Sequence, residues 1–301
     1  MTIHNRSYYP ATDFTRVGDF LRKHYLPCNR DGNWFEAAWD YMHSHTYLDE
    51  TALDKIGIWE EAGEIVGVAH YESRLGEAFF QIHPGYPRLK PELLDYAEKN
   101  LYAITPAGER CLKAYINDFD TGFETLVRSR GYDRAAQDDR PTSMLDLPDP
   151  FPEIQLPDGF RLKSLLEEND LHKIDRVLWR GFNHPGESPE DGIEGRRKMQ
   201  SADNFRKDLN VVVAAPDGNF AAYAGTWYDP ANRIAYVEPV ATDPDFRRRG
   251  LGKAAVLEGI RRCGELGAAV AYVGSDQEFY QAMGFKKIYT SRCWMKRFDT
   301  D

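Results

Sequence analysis

The sequence predicts an α/β protein made of two mixed domains in tandem, each a central, mostly antiparallel twisted sheet flanked by helices. Three observations lead there. The chain has 301 residues, 42% of them hydrophobic, which is ample for a large core and long for a single one. The stretch LPDPFPEIQLPDG (147–159) holds four prolines and interrupts every periodicity, so it reads as a linker. On its two sides the order of elements is alike, and repetition at about half the chain suggests duplication. The expected division is a domain over 1–147, a linker over 148–158 and a second domain over 159–301.

The elements follow in order. In the first half, IGIWEEAGEIVGVAHYES (56–73) is a hairpin with a glycine turn and EAFFQIH (77–83) a third strand. PELLDYAEKNLY reads as a helix, LKAYIND as a strand, and FETLVRSRGY as a helix with a glycine stop. In the second half FRLKSLL (160–166) is a strand, and NDLHKIDRVLWRGF a helix with Leu171, Ile174, Val177 and Leu178 on one face. After a polar, glycine-containing stretch come NVVVAA, FAAYAGTWY and RIAYVEPVAT, three strands joined by the tight turns PDGN and DPAN. A helix ends near Gly267, AAVAYVG is a buried strand, SDQEFYQAM a short helix closed by Gly284, and FKKIYTSRCWMKRF a last strand pair.

Composition excludes some partners. The formal net charge is -10, concentrated in residues 1–150, which carry 16 basic against 25 acidic residues, while the remainder carries 22 against 23. Such a surface repels nucleic acid and anionic lipid and favours cationic ligands. Cys28, Cys111, Cys263 and Cys293 lie far apart without metal-ligand spacing, so neither a zinc site nor a disulfide framework is expected, and each reads as a small buried thiol. With no secretory signal and no apolar run of membrane-spanning length, a cytoplasmic location is expected.

Against that acidic background, FRRRGLGKAAVLEGIRR (246–262) gathers three arginines at the glycine-rich start of a helix. A helix N-terminus presents unpaired amides and partial positive charge, suited to a diphosphate. Gly250 and Gly252 remove side chains that would hold phosphates away, and Arg247, Arg248, Arg249 and Lys253 add charge at the rim. The pattern Arg247-x-x-Gly250-x-Gly252, preceded by EPVAT and followed by FYQAMGF (279–285), closely resembles the acyl-CoA-binding signature of the GCN5-related N-acetyltransferases. The resemblance covers residues 158–301 well and residues 1–146 only through element order.

The resemblance implies a splayed strand pair in each domain, and acetyl-CoA as cosubstrate. It implies cofactor contacts at Val240, Thr242, Arg247, Arg248, Arg249, Gly250, Leu251, Gly252, Lys253 and Ser275. Pro239 cannot donate to a ladder and so marks an edge or a bulge; in the family that bulge opens a slot for the pantetheine arm, bonded by backbone near Val240 and Thr242. Glu238 and Val240, two apart, project to one strand face, and Glu238 is expected to accept the amine's proton through a water. A capping box Ser275-x-x-Glu278 starts the last short helix and carries Tyr280, which by resemblance protonates the departing sulfur. Phe279 reads as core. Trp179, Phe182, Asn183 and His184 are candidates for lining the acceptor pocket.

The first half lacks this motif. Setting Pro84 against Pro244 puts Pro87 opposite Arg247, Lys90 opposite Gly250, Glu92 opposite Gly252 and Ala78 opposite Glu238, and matching Gly131 to Gly284 puts Val127 opposite Tyr280. The expectation is a tandem protein with one working site, in its second half, acting as an N-acetyltransferase on a small, cationic primary amine by direct attack. No metal, nucleic acid or membrane partner is expected, and monomer and homodimer stay open. Two other classes compete: a non-enzymatic acyl-CoA sensor, and a DNA-binding module on Arg247–Arg249, against which the charge balance speaks.

Overall fold

Alternating apolar residues make the strands here, and 3.6-residue periodicity makes the helices that cover them. The computed structural model describes residues 2–189 and 191–298, which form two compact units.

Up to the linker the chain runs β1 (His4–Ser7), α1 (Pro10–His24), α2 (Glu36–Ser44), β2 (Gly57–Glu61), β3 (Glu64–His70), β4 (Glu77–Ile82), α3 (Lys90–Asn100), β5 (Ala103–Ile104), β6 (Arg110–Asn117), α4 (Thr121–Ser129), β7 (Asp133–Arg134) and β8 (Arg140–Asp146). Beyond the linker come β9 (Arg161–Ser164), α5 (Leu171–Gly181), α6 (Gly192–Met199), β10 (Val211–Ala214), β11 (Phe220–Asp229), β12 (Ile234–Thr242), α7 (Leu251–Glu265), β13 (Val270–Val273), α8 (Glu278–Gln281) and β14 (Lys286–Phe298).

In the first unit the sheet order is β14-β6-β4-β3-β2-β1, with β4 and β6 parallel and the other neighbours antiparallel. In the second it is β8-β13-β12-β11-β10-β9, with β12 and β13 parallel. The two orders correspond position by position, so the arrangement of strands is repeated in the two units. The core of the first unit gathers Val17 and Leu21 of α1, Trp39 of α2, the inner residues of β2 to β4, Leu93 and Leu94 of α3, and Val127 of α4. That of the second gathers Val211, Val213, Ala235 and Val237 from the sheet with Leu251, Ala255, Val256 and Ile260 of α7. Ile174, Val177 and Leu178 of α5 are fully buried as their spacing predicts, and Asp170 caps that helix by accepting from the amides of His172 and Lys173.

The expected cut at 147 and 159 differs from the compact units in a specific way. Ser143–Asp146 of β8 pairs antiparallel with β13 and belongs to the second unit. β14 pairs with the whole of β6 and completes the first. His43–Thr46 also groups with the second unit, where the Lys198 ammonium donates to the His45 carbonyl. The expected last strand pair is therefore corrected to one continuous strand of 13 residues; it contains no glycine, proline or asparagine to turn on. The helices α1 and α2 had no counterpart in the sequence reading. All four cysteines are free, Cys263 and Cys293 buried but Cys28 exposed and Cys111 half-buried, which corrects the expectation of four buried thiols. No described helix is long and apolar enough to cross a membrane.

Candidate functional site

The site is built where β12 breaks its own ladder. Ala222, Tyr223 and Ala224 of β11 pair with Thr242, Ala241 and Val240, then the register shifts and Thr226 pairs with Val237. Glu238 and Pro239 thus share the place opposite one residue, Gly225, which is a β-bulge as Pro239 predicts. The approach is so close that a Cβ on Gly225 would lie 2.4 Å from the Glu238 carbonyl oxygen, and the Trp227 indole donates to that same oxygen at 2.9 Å. On its other edge β12 pairs with β13 only from Ile234 to Tyr236. Past Tyr236 the parallel strands have no ladder between them, so the expected splay is present.

The bulge also changes which side chains share a face. The extra residue shifts the alternation, so Val240 packs with Ala235 and Val237 against the core cluster rather than beside Glu238. The expected common face of Glu238 and Val240 is corrected for that reason. Glu238 is instead joined by Tyr236, whose hydroxyl donates to Oε2 at 2.8 Å.

Beyond β12 the chain makes a tight turn into α7. Arg248 and Gly250 both have positive φ, at 65° and 80°, so the chain turns sharply before the helix begins. From Arg248 to Lys253 the backbone N–H groups meet no acceptor among the described residues; the first to be paired is Ala254, donating to the Gly250 carbonyl at 3.0 Å. Within the motif the two glycines serve different needs. A Cβ on Gly250 would meet nothing within 4 Å, so its left-handed backbone is what demands glycine. A Cβ on Gly252 would lie 2.6 Å from Thr242 Oγ1 and 3.4 Å from the Phe279 ring, so there the absent side chain lets α7 close against the end of β12. Leu251 sits in the core with 1% exposure, leaving only its amide at the turn.

The arginines divide likewise. Arg247 bonds inward, its guanidinium donating to the Thr242 carbonyl at 3.2 Å, the Gly181 carbonyl at 2.8 Å and Asn183 Oδ1 at 2.8 Å. Arg249 lies over Phe246 and reaches the Asp245 carbonyl. Arg248 and Lys253 are exposed and have no side-chain partner among the described residues.

What holds the turn is a residue that sequence reasoning missed. Asp243 is fully buried and accepts from Arg176 at 2.7 Å, Arg180 at 2.8 Å and the Asp245 amide at 3.0 Å. Burial pushes its carboxyl upward, but the Arg180 hydrogen bond, the Asp245 amide and the two guanidinium charges outweigh it and hold it below the ordinary carboxylate range. Arg176 and Arg180, one helical turn apart on α5, were a detectable signal only once a buried acid was known to face them.

Tyr280 is buried on the single-turn α8 and packs edge-on against Phe279 and Phe285. Its hydroxyl takes no hydrogen-bond partner among the described residues. Burial raises its phenol well above the usual tyrosine range, and the Glu238 carboxylate adds to that, so the two expected catalytic side chains act on one another. The capping box does not form: α8 starts after Gln277 with no side-chain cap, and Ser275 Oγ instead accepts from the Gln277 amide at 3.3 Å. Phe279, expected in the core, is 37% exposed, because it borders the turn beside Gly252. Near the end of α5, Trp179 stacks on His184 with ring centroids 4.3 Å apart and donates to the Gly186 carbonyl, while Phe182 is exposed. No group of three or more acidic, histidine or cysteine side chains gathers as a metal site among the described residues.

Known proteins are similar to this chain in sequence and in fold. Residues 171–285 match the acetyltransferase (GNAT) family. A mycothiol acetyltransferase of Saccharomonospora viridis is 27% identical over 258 residues, spanning 76% of this chain and 78% of that protein. Among solved structures, a GCN5-related N-acetyltransferase from Sphaerobacter thermophilus superposes with a TM-score of 0.66 at 16% identity, over 98% of this chain and 95% of the other. A tandem GNAT protein from the clavulanic acid biosynthesis pathway superposes with a TM-score of 0.67 at 14% identity over the whole of both chains. The family match lies across the bulged strand, the glycine turn and α8, so the part of the chain that is similar to acetyltransferases of the GNAT family is the part that carries this geometry.

Proposed function

We propose that the second unit binds acetyl-CoA and transfers its acetyl group to a primary amine of a small acceptor by direct attack. The observation that carries this reading is the run of unpaired amides from Arg248 to Lys253 at the start of α7, beside a bulged strand whose edge is open. The fit to a diphosphate is good. Six successive amides are unpaired, the backbone takes positive φ at two of those positions, and the helix dipole and the exposed Arg248 and Lys253 favour negative charge. The edge of β12 that β13 leaves without a ladder, near Val240 and up to Thr242, whose carbonyl also accepts from Arg247, suits an amide-bearing arm lying as an added strand. Arg247 serves by tying the turn to α5, and Gly252 by letting α7 approach Thr242. Ser275, Leu251 and Arg249 contribute main chain and shape at the rim.

Acetyl-CoA, when bound, supplies an activated acyl thioester. The chain's residues then manage protons. An ammonium acceptor cannot attack until it loses one, and Glu238, through a water, takes it. As the new C–N bond forms and the C–S bond breaks, the sulfur leaves with the electron pair and Tyr280 donates its proton to it. A phenol held above its usual range stays protonated at neutral pH, which is what an acid in that place requires. The acidic first half of the chain favours a cationic acceptor, and a mycothiol-type small molecule joins polyamines and amino sugars as a candidate because of the relative named above.

The test is thiol release from acetyl-CoA across such an amine panel, with Tyr280→Phe alongside the wild type. Turnover in the variant should drop at least tenfold with acetyl-CoA affinity within twofold. Unchanged turnover removes Tyr280 from the mechanism, and no release with any amine removes the acceptor class.

A further inference from the structure

Resting on the reading of Glu238 as proton acceptor, we infer that Tyr236 is a positioning residue for that carboxylate. A carboxylate that works through a water must hold one plane and one rotamer, and a strand interrupted by a bulge does not by itself supply either. Two groups do so here. On the main-chain side, the Trp227 indole clamps the Glu238 carbonyl at 2.9 Å, and Gly225 allows β11 to press against it. On the side-chain side, Tyr236 is 7% exposed and its hydroxyl reaches Glu238 Oε2 at 2.8 Å. A buried tyrosine needs a partner for its hydroxyl, and this one takes it from the carboxylate two residues along the same strand.

The placement is a consequence of the fold. Tyr236 is the last residue of β12 paired to β13, opposite Tyr272, and pairs with Trp227 on its other edge. It is therefore the last position on β12 held from both sides. Glu238 lies just past it, where the splay and the bulge begin. The hydroxyl carries the order of the paired ladder one step into the open part of the strand.

The experiment is a double-mutant cycle on the full-length protein with Tyr236→Phe, Glu238→Gln and the pair. Tyr236→Phe keeps the ring and its packing and removes only the hydroxyl. Its kcat should fall about tenfold with the KM for acetyl-CoA within twofold, and it should have no further effect in the Glu238→Gln background. An equal fall in both backgrounds, or a loss of acetyl-CoA affinity in parallel with kcat, makes Tyr236 a merely structural residue and overturns the inference. Wild-type turnover in Tyr236→Phe while Glu238→Gln is impaired overturns it too, leaving the role of Glu238 intact. Wild-type turnover in Glu238→Gln removes the underlying reading itself.

Discussion

The starts of α3 and α7 occupy the same place in two sheets of the same order, and they differ in what their amides do. At α7, six successive N–H groups are unpaired and two positions have positive φ. At α3, Pro87 and Pro91 have no N–H to offer, Leu89 donates to the Tyr86 carbonyl, and Lys90 to the Pro87 carbonyl. Glu92, opposite Gly252 in the ungapped alignment, accepts from the Trp59 indole at 2.7 Å, and Lys90, opposite Gly250, pairs with Asp120 at 2.6 Å. One helix start is left open to an anion and the other is closed by its own residues. The strand before each differs as well: β12 is bulged at Glu238, whereas β4 pairs with β3 from Phe79 to Ile82 in even register. The sheet order is the same in both units, and the two helix starts differ in their local chemistry.

The largest effect that would test this contrast is at Gly250. Gly250→Glu places a carboxylate and a strained positive φ at the mouth of the amide run, and acetyl-CoA affinity should fall at least a hundredfold by calorimetry. Lys90→Glu, the matching change in the first unit, should leave affinity and a stoichiometry of one unaltered. Two equivalents of acetyl-CoA bound by the wild type, or comparable losses from both substitutions, would break the distinction.

A smaller effect is expected at Asp243, which sharpens the comparison by asking what keeps the open turn in shape. Asp243→Asn removes a charge from between Arg176 and Arg180. Because both arginines are about a third exposed, the stability cost should be discounted to roughly 1–3 kcal/mol. The folded carboxyl is held below its unfolded value, so its contribution is complete above the ordinary carboxylate value of about 4 and fades as pH falls through the lowered folded value. The gap in melting temperature between wild type and variant should therefore be widest near neutral pH and close in acid. A gap that stays constant with pH would show that the carboxylate charge does not hold the turn.

Legibility in the sequence follows the range of the interactions. Most strands from Gly57 onward, α5 with its buried face and the glycine turn were readable because periodicity and turn residues act over a few positions. The exchange of β8 and β14 was not, since nothing near Arg140 announces a partner at Val270 and nothing near Lys286 announces one at Asn117. The Asp243–Arg180 pair spans 63 positions, beyond any local pattern. Reading both glycines of the motif as bare backbone left out what the fold asks of each: a left-handed backbone at Gly250, and at Gly252 a close approach to Thr242, a neighbour in space. Proline gave the bulge correctly, yet the face assignment of Val240 failed because a bulge shifts the very alternation from which faces are read.

The smallest expected effect lies in the closed helix start. If α3 retains only a structural role, then Glu92 is an acceptor for a buried indole, and its negative charge in the first turn of α3 also suits the helix dipole. Glu92→Ala strands the Trp59 N–H, whose ring is 1% exposed, and should cost about 1–2 kcal/mol in denaturant unfolding. Glu92→Gln keeps an acceptor and should recover most of that. Neither should move acetyl-CoA affinity beyond twofold, since the residue's partner is the core of its own unit. A marked rise in affinity or a second equivalent of ligand in Glu92→Ala would mean that a single carboxylate, rather than the consumed amides around it, keeps the first unit from binding.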